Sequence, residues 1–599
     1  MKNSLKKISL LISTVLISTL VSCGNGQTAS TAPTWDKEVN LLVVGAGGAG
    51  LSAAIEAADN GTENILLVEQ MPTIGGVSFL SEGMIAGYDT KIAKKLGVEV
   101  SKEDMYDCVM GNAKYRLDPE LTSITVEKSG ETVDWLDETI GVPFKDEIMV
   151  GYGPLQMMHL MDGGGKVMRE PFEKALEDRK IEVMLETPAT KLLKNADGNI
   201  EGAIIKNDGK EMKVKAKAVV LATGGYAANG DLAGDLHPSY KDTIGVGYAG
   251  NDGSGLVMAS EIGASIVHTD HLMAIMKDYE IVAEMNGNST TGSLNGLPKA
   301  DSQIFVGAEG KRFMDEKNAG FMSQDLNQHI FDQMSKDETP YVWILTDKKG
   351  LEQSKAKRGL DQEYITADTV EDLASKISVD PTNLKATFEN WNTMASNGVD
   401  TEFGRTKGLV QLEAPYYALA VTPCHLITYG GISRTVNAEA LQASGNIING
   451  LYVAGEVSAN SAYMGFTLSN AITWGRIAGA NAADYIKNGP KTPAAEEESK
   501  EEAPTTEPET FSFKAGTYTG SAKGNGGDVK VEVTVDEKSI KEVKILEHKE
   551  TEGLAEPALE KVPAAIVEKQ STSVDTVTGA TITSNAIMDA VKSALESAK

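Results

Sequence analysis

The densest chemical signal sits near the start of the chain. Gly45-Ala46-Gly47-Gly48-Ala49-Gly50 follows the apolar run Asn40-Leu-Leu-Val-Val44 and leads into the small-residue stretch Leu51 to Asn60. A glycine turn between a strand and a helix lets backbone N–H groups close on a pyrophosphate, and the helix N-terminus adds partial positive charge. A second apolar run, Ile65-Leu-Leu-Val68, ends in Glu69 and Gln70. An acid about 20 residues beyond the glycines is placed to accept from a ribose hydroxyl. Strand, turn, helix, strand and acid in that order predict a dinucleotide site rather than a bare turn. A second signal lies near the other end, where Asp575-Thr-Val-Thr578-Gly579-Ala580-Thr581-Ile-Thr583-Ser584 precedes a helix predicted from about Asn585 to Ser597. Hydroxyls there suit a helix cap or a phosphate held at the helix N-terminus. Groups that could move a proton or hold a carbonyl oxygen are Tyr429, beside Gly430-Gly431, Tyr463, and His159 in Met158-His159-Leu160-Met161-Asp162-Gly163-Gly164. Each also has a plain packing alternative, as have His425 and the methionines at 157, 158, 161 and 168.

These residues need a scaffold larger than one core, and 599 residues imply two or more domains. Residues 38 to 485 alternate strand-like apolar runs with helical periodicity, the pattern of an α/β fold with a mostly parallel sheet. Residues 487–510, with Pro490, Pro493, Pro504, Pro508 and a run of glutamates, bury too little to fold and read as an acidic linker. Beyond it, Gly516-Thr-Tyr-Thr-Gly520 and the alternation Val529, Val531, Val533, Val535 predict a hairpin within a small α+β domain at 511–599. The first 22 residues carry Lys2, Lys6 and Lys7 and then an apolar run too short to span a bilayer comfortably. Their end, Leu20-Val21-Ser22-Cys23, resembles a bacterial lipobox. The expectation is a signal peptide at 1–22, a lipid on Cys23, a tether at 23–37, and an extracytoplasmic protein anchored to the bacterial cell membrane. An ordinary signal peptide and a buried apolar segment are the alternatives. A formal charge of −29 argues against nucleic acid as a partner. Cys108 and Cys424 make no disulfide framework, no C-x-x-C-H offers a haem, and metal-type spacing is absent, so no metal site is expected.

Further segments narrow the nucleotide. Gly75-Gly76-Val77-Ser78, Ala218-Val-Val-Leu-Ala222-Thr223-Gly224-Gly225, Thr428-Tyr-Gly430-Gly431, Gly450-Leu-Tyr-Val-Ala-Gly455-Glu456 and Leu468-Ser469 occur in the order seen in the fumarate reductase and succinate dehydrogenase flavoprotein family. The likeness also takes in Gly310-Lys-Arg-Phe313, Asp400-x-Glu-Phe-Gly-Arg405 and Trp474-Gly-Arg-Ile-Ala-Gly479, and so covers about 38 to 485. It implies non-covalent FAD contacted by these segments. The implied fold is a Rossmann-type FAD-binding domain at 38–229 and 411–486, with an inserted α+β capping domain at 230–410. The 575–584 segment resembles the flavinylation motif of the FMN-binding domain family, which implies FMN esterified to Thr581, with Thr578, Gly579 and Ala580 completing the motif and a flavin transferase needed for maturation.

In that family an arginine shortly after R-F-x-x-E gives a proton to the alkene, and histidine and arginine side chains hold the substrate's carboxylates. This chain reads Arg312-Phe-Met-Asp-Glu316-Lys317-Asn-Ala-Gly320, has Ile427 at a substrate-histidine position, and has Met464-Gly-Phe-Thr-Leu468 where fumarate reductases carry N-R-L-G-G. Unpaired buried carboxylates are costly, so a neutral or singly charged enoyl or enone compound is expected, an aromatic acrylate among them, with Tyr429, Tyr463 or His159 near it. The resemblance thus implies an extracytoplasmic reductase of a carbon–carbon double bond, with electrons passing from a membrane quinol or flavoprotein to FMN, FAD and substrate. A fumarate- or urocanate-type reductase, a ketosteroid-type dehydrogenase and a non-catalytic flavin electron carrier remain the alternatives.

Overall fold

The computed structural model describes residues 34–490 and 513–598, apart from 114, 152–153, 241–243, 246–247, 271, 280–300, 318–323, 359–363, 460–464, 525, 551–554, 573 and 575–580. The chain divides between Pro490 and Lys491 into two compact units.

The first unit is organised by an eight-stranded sheet. Its centre is the strand Lys37–Val44, parallel to Ile65–Val68 on one side and to Lys210–Leu221 on the other, with Val44 opposite both Val68 and Leu221. Leu41, Leu42 and Val43 are fully buried, as expected for a parallel strand covered on both faces. Ile447–Val453 continues the sheet beyond Lys210–Leu221, again in parallel. The helix Gly48–Asp59 packs against Thr467–Asn488 from the far end of the unit. Glycines make that seam: a Cβ at Gly475 would stand 2.3 Å from the Ala49 carbonyl oxygen, and one at Gly479 would stand 2.2 Å from that of Ala53. Two stretches more than 400 residues apart thereby form one nucleotide-binding layer.

A six-stranded sheet forms the second layer, and its spine is the 13-residue strand Tyr416–Thr428. That strand pairs with Ile244–Gly245, Leu272–Asp278, Val342–Asp347 and Ile365–Ala367. The capping sheet therefore runs on to Thr428, past the boundary expected at 410. The strand is buried almost throughout, and only pairing on both edges satisfies its backbone groups. Beneath this sheet lies an ionic cluster. Glu316 binds Arg312 Nε and Nη2 and Arg405 Nη1, all at 3.0 Å, and Asp400 accepts from Arg312 Nη2 at 2.9 Å. Trp391 lies 4.6 and 4.7 Å from the two guanidinium carbons.

The second unit has three antiparallel strands, Gly516–Lys523, Asp528–Val535 and Ile540–Glu547, and the helices Glu556–Lys569 and Thr581–Glu596. Val529, Val531, Val533 and Val535 all face its core, each adding about 1.5–3 kcal/mol on full burial. The expected hairpin gains a third strand, and the last helix begins at Thr581 rather than near Asn585. The β-branched Thr581-Ile582-Thr583 disfavours a helix only weakly, and tertiary context overrides such a preference. Among the described residues no helix is long and apolar enough to cross a membrane, and no group of three or more His, Cys, Asp or Glu side chains could hold a metal ion.

Candidate functional site

A cavity opens at the C-terminal ends of Lys37–Val44 and Ile65–Val68, where α/β sheets bind their ligands. Gly45 makes the turn possible: its φ of 98° is left-handed, and a Cβ would stand 2.4 Å from the Ala222 carbonyl oxygen. A Cβ at Gly50 would fall 1.8 Å from the Gly45 carbonyl oxygen, whereas none of the fold blocks Gly47, which faces the cavity. The helix begins at Gly48, whose N–H donates to Ser78 Oγ at 3.2 Å. Gly48 and Ala49 also line the cavity, as do Gly76 and Ser78.

Glu69 closes one wall, 7 % exposed. Its Oε2 accepts from Ala46 N at 2.7 Å and its Oε1 from Met71 N at 2.9 Å, while burial raises its pKa. The acid thus braces the glycine turn as well as lining the cavity. Gln70 beside it donates to the Gly250 carbonyl at 2.9 Å. Ala222, Thr223 and Gly224 form a second wall, and Gly455, Glu456 and Leu468 a third.

Glu456 is half-buried on the cavity wall. Its Oε1 accepts from Thr428 N at 2.8 Å and Thr428 Oγ1 at 3.1 Å, and its Oε2 from Asn251 Nδ2 at 3.2 Å. Burial outweighs these bonds and pushes its pKa up to about 7. Gly225 leaves room for it, since a Cβ there would stand 2.4 Å from Glu456 Oε1. Asn251 had no signature in the motifs, because it comes from a turn about 200 residues before Glu456. The Asn251-Asp252-Gly253 turn before the helix Ser254–Glu261 was the available clue.

Other expected contacts hold the walls rather than line them. Ser469 Oγ bonds both backbone groups of Ala86, at 3.0 and 2.8 Å, pinning the start of the last helix. Gly75 joins the turn through its N–H to the Ala46 carbonyl at 2.7 Å. Gly430 and Gly431 press on backbone, where a Cβ would lie 2.3 Å from His268 O and 2.4 Å from Val457 O.

Of the expected proton-handling residues, His159 and Tyr429 are described, and neither lines the cavity. His159 is 1 % exposed and belongs to a small three-stranded sheet, opposite Ile85 and Ile148. Its Nε2 lies 2.8 Å from Thr90 Oγ1 and its Nδ1 3.2 Å from the Met157 carbonyl oxygen, and burial drives its pKa down to about 4. A neutral imidazole with both nitrogens engaged inside the fold has nothing to give a substrate. Tyr429 is 3 % exposed and is not part of the cavity lining. His425 stacks edge-on against Tyr240 at 5.5 Å, and burial lowers its pKa to about 4. Ile427, by contrast, does line the cavity. Tyr463 and Cys23 lie outside the described residues, as do Thr578, Gly579 and Ala580; Thr581 opens the helix Thr581–Glu596.

The cavity fits a dinucleotide carrying a polar ring. Thr223 Oγ1 and Asn470 Oδ1 are buried in its lining without a partner among the described residues, and such groups call for the polar edge of a ligand. Residues 40–472 match the FAD binding domain family, and residues 524–596 match the FMN-binding domain family. The chain belongs to the fumarate-reductase-like FAD-binding family. It is 31 % identical over 460 residues to a probable fumarate reductase, Ifc3, of Shewanella frigidimarina, covering 74 % of this chain and 75 % of that one. To a vinyl phenol reductase of Lactiplantibacillus plantarum it is 27 % identical, covering 74 % of this chain and 96 % of the relative. A solved flavocytochrome c3 fumarate reductase in an open conformation superposes with a TM-score of 0.62 at 29 % identity, covering 76 % of this chain and 79 % of that one. The protein is therefore an FAD-dependent oxidoreductase acting on carbon–carbon bonds, with a separate FMN-binding unit.

Proposed function

We propose that this protein reduces the double bond of an unsaturated small molecule outside the cytoplasm, tethered by a lipid on Cys23, with electrons entering through FMN esterified to Thr581. Bound FAD supplies the hydride, and FMN supplies the one-electron entry from a membrane quinol or flavoprotein. The chain's own residues do the rest. The Gly45–Gly50 turn and the helix N-terminus behind it hold the pyrophosphate, and Thr223 and Asn470 offer an open hydroxyl and an open amide oxygen to the cofactor.

The observation that carries the substrate reading is the use made of Arg312. Its guanidinium is taken up by Glu316, Asp400 and Glu402, so it holds the capping layer together and has no fork left for a substrate. With Ile427 also facing the cavity, a dicarboxylate would enter with too few partners. A neutral or singly charged alkene suits this lining.

The test is an anaerobic screen of unsaturated acids, ketones and vinyl phenols, with reduced viologen as donor and protein matured in its host. At least one alkene should reoxidise the reduced protein, and Thr581→Ala should lose the FMN mass and membrane-driven turnover while keeping viologen-driven turnover. Equal membrane-driven rates in Thr581→Ala and wild type would show that the relay is wrong. Bleaching of the oxidised flavin by a saturated ketone would identify the reverse, dehydrogenase direction.

A further inference from the structure

The last helix of the second unit, Thr581–Glu596, is held by two kinds of contact. Ile587, Ala590, Val591 and Ala594 form its apolar stripe in the core of the unit. The helix also lies close on the strand Gly516–Lys523, because a Cβ at Gly520 would stand 2.1 Å from the Ala590 carbonyl oxygen. At its start the contact is polar. Thr583 is 5 % exposed, and its Oγ1 donates to Oε2 of Glu550, itself 7 % exposed. The other carboxylate oxygen, Oε1, accepts from Gly526 N at 2.8 Å.

The surroundings are shaped to this acid. A Cβ at Gly524 would stand 2.3 Å from Glu550 Oε1, and one at Gly526 would stand 1.9 Å from the Lys549 carbonyl oxygen. Glycines between the first two strands therefore let the chain close over the carboxylate. One side chain ties together that connection, the stretch just past the strand Ile540–Glu547, and the first turn of the last helix.

Adhesion alone does not call for such a group. A buried carboxylate costs more than an apolar side chain of the same size, and the apolar stripe already holds the helix down. What the acid adds is direction. Apolar packing lets a helix roll by a fraction of a turn, whereas a charge-assisted hydrogen bond fixes the angle at which its first turn sits. Successive helical positions rotate by about 100°, so drawing Thr583 inward sets position 581 on the opposite side of the helix. Thr581 is also where the helix begins, and the N–H groups of a first turn suit a phosphate.

We propose that Glu550 is the positioning residue for FMN attachment: by anchoring Thr583 it fixes the start of the helix so that residue 581 is presented to the flavin transferase. This rests on the reading that FMN is esterified to Thr581. In that step the Thr581 oxygen bonds to the FMN-side phosphorus of a flavin adenine dinucleotide and the phosphoanhydride bond breaks. Adenylate leaves with the bonding pair, and the hydroxyl proton passes to a base of the transferase. Glu550 makes and breaks none of these bonds.

The test follows FMN uptake over time. Full-length protein produced without the transferase is mixed with transferase and FAD, and the masses of C-terminal peptides report how much FMN is attached and to which residue. Thr583→Val keeps the shape and loses the donor, and Glu550→Ala loses the acceptor. Each should slow uptake by about tenfold or more. Thr583→Ser keeps the hydroxyl and should stay within about twofold of wild type. Val533→Ala controls for plain stability, since it takes volume from the same core and should lower the unfolding midpoint with uptake unchanged. If Glu550→Ala does not fold, Thr583→Val carries the test. Uptake at the wild-type rate in Thr583→Val, or slowed no more than in Val533→Ala, overturns the positioning role and leaves the esterification reading standing. FMN found on Thr583 of the wild type overturns it too. Wild type that takes up no flavin on either threonine sinks the esterification reading and this inference together.

Discussion

Replacing Glu456 by glutamine tests the account of the flavin wall most directly. The side chain is half-buried on the cavity wall, and Thr428 and Asn251 only partly offset its loss of water, so its pKa rises from 4.5 to about 7. The folded protein therefore holds a proton that the unfolded chain releases between those values, and stability must fall as pH rises through that window. The shift of about 2.5 pH units corresponds to roughly 3 kcal/mol, most of it lost between pH 5 and 7 and fully lost above. Glu456→Gln keeps the shape and can still accept from Thr428 N, but has no proton to lose. Urea unfolding at fixed excess FAD, followed by flavin fluorescence on release, should show wild type losing stability from pH 5 to 8 relative to the variant. The difference between the two proteins cancels other titrating groups, including the buried histidines, whose effect runs the opposite way. A wild-type-minus-variant curve flat within about 0.5 kcal/mol over that range would mean that Glu456 is ionised at little cost, and the wall is wetter than described.

Two further outcomes follow from the same reasoning. Glu316→Gln removes the carboxylate shared by Arg312 and Arg405 and should destabilise the capping layer by about 3–5 kcal/mol, read as early protease cleavage within residues 301–428; intact resistance would show that Asp400 alone suffices. His159→Gln should keep kcat within a few-fold, since the ring is buried and engaged. Because the folded pKa of His159 is lowered to about 4 from 6.5, its neutral form loses stability as pH falls through that window, and the variant should be the more acid-tolerant protein by unfolding midpoint. A hundredfold loss of kcat in His159→Gln would put the imidazole back at the substrate.

The nucleotide half of the site was legible because its chemistry is carried by contiguous backbone. Gly45, Gly47 and Gly50 must be glycine for reasons a few residues long: a left-handed turn, an open approach, and a helix seated on the turn's own carbonyl. Such local demands leave a spacing that can be read without coordinates, and Glu69 follows from the length of one helix and one strand. The alternating valines at 529–535 likewise announce their sheet. The catalytic candidates were read less well, because a histidine between methionines and a tyrosine beside glycines look the same whether they face a ligand or a core. Only packing separates His159, tied to Thr90, from Ile427, which faces the cavity.

What the sequence determined by itself was the order of the strands and turns that bind FAD and the existence of a second flavin-binding unit, since each is written in neighbouring residues; the acidic linker expected at 487–510 lies almost wholly outside the described residues. Tertiary structure alone decided that Tyr416–Thr428 is the spine of the capping sheet, that Arg312 is spent on Glu316 and Asp400, and that Arg434 stacks over Trp474. The reason is physical: whether a charge is paired depends on which partners the fold brings within about 4 Å, and beside Glu316, four residues on, Arg312 finds Asp400 from 88 residues away along the chain.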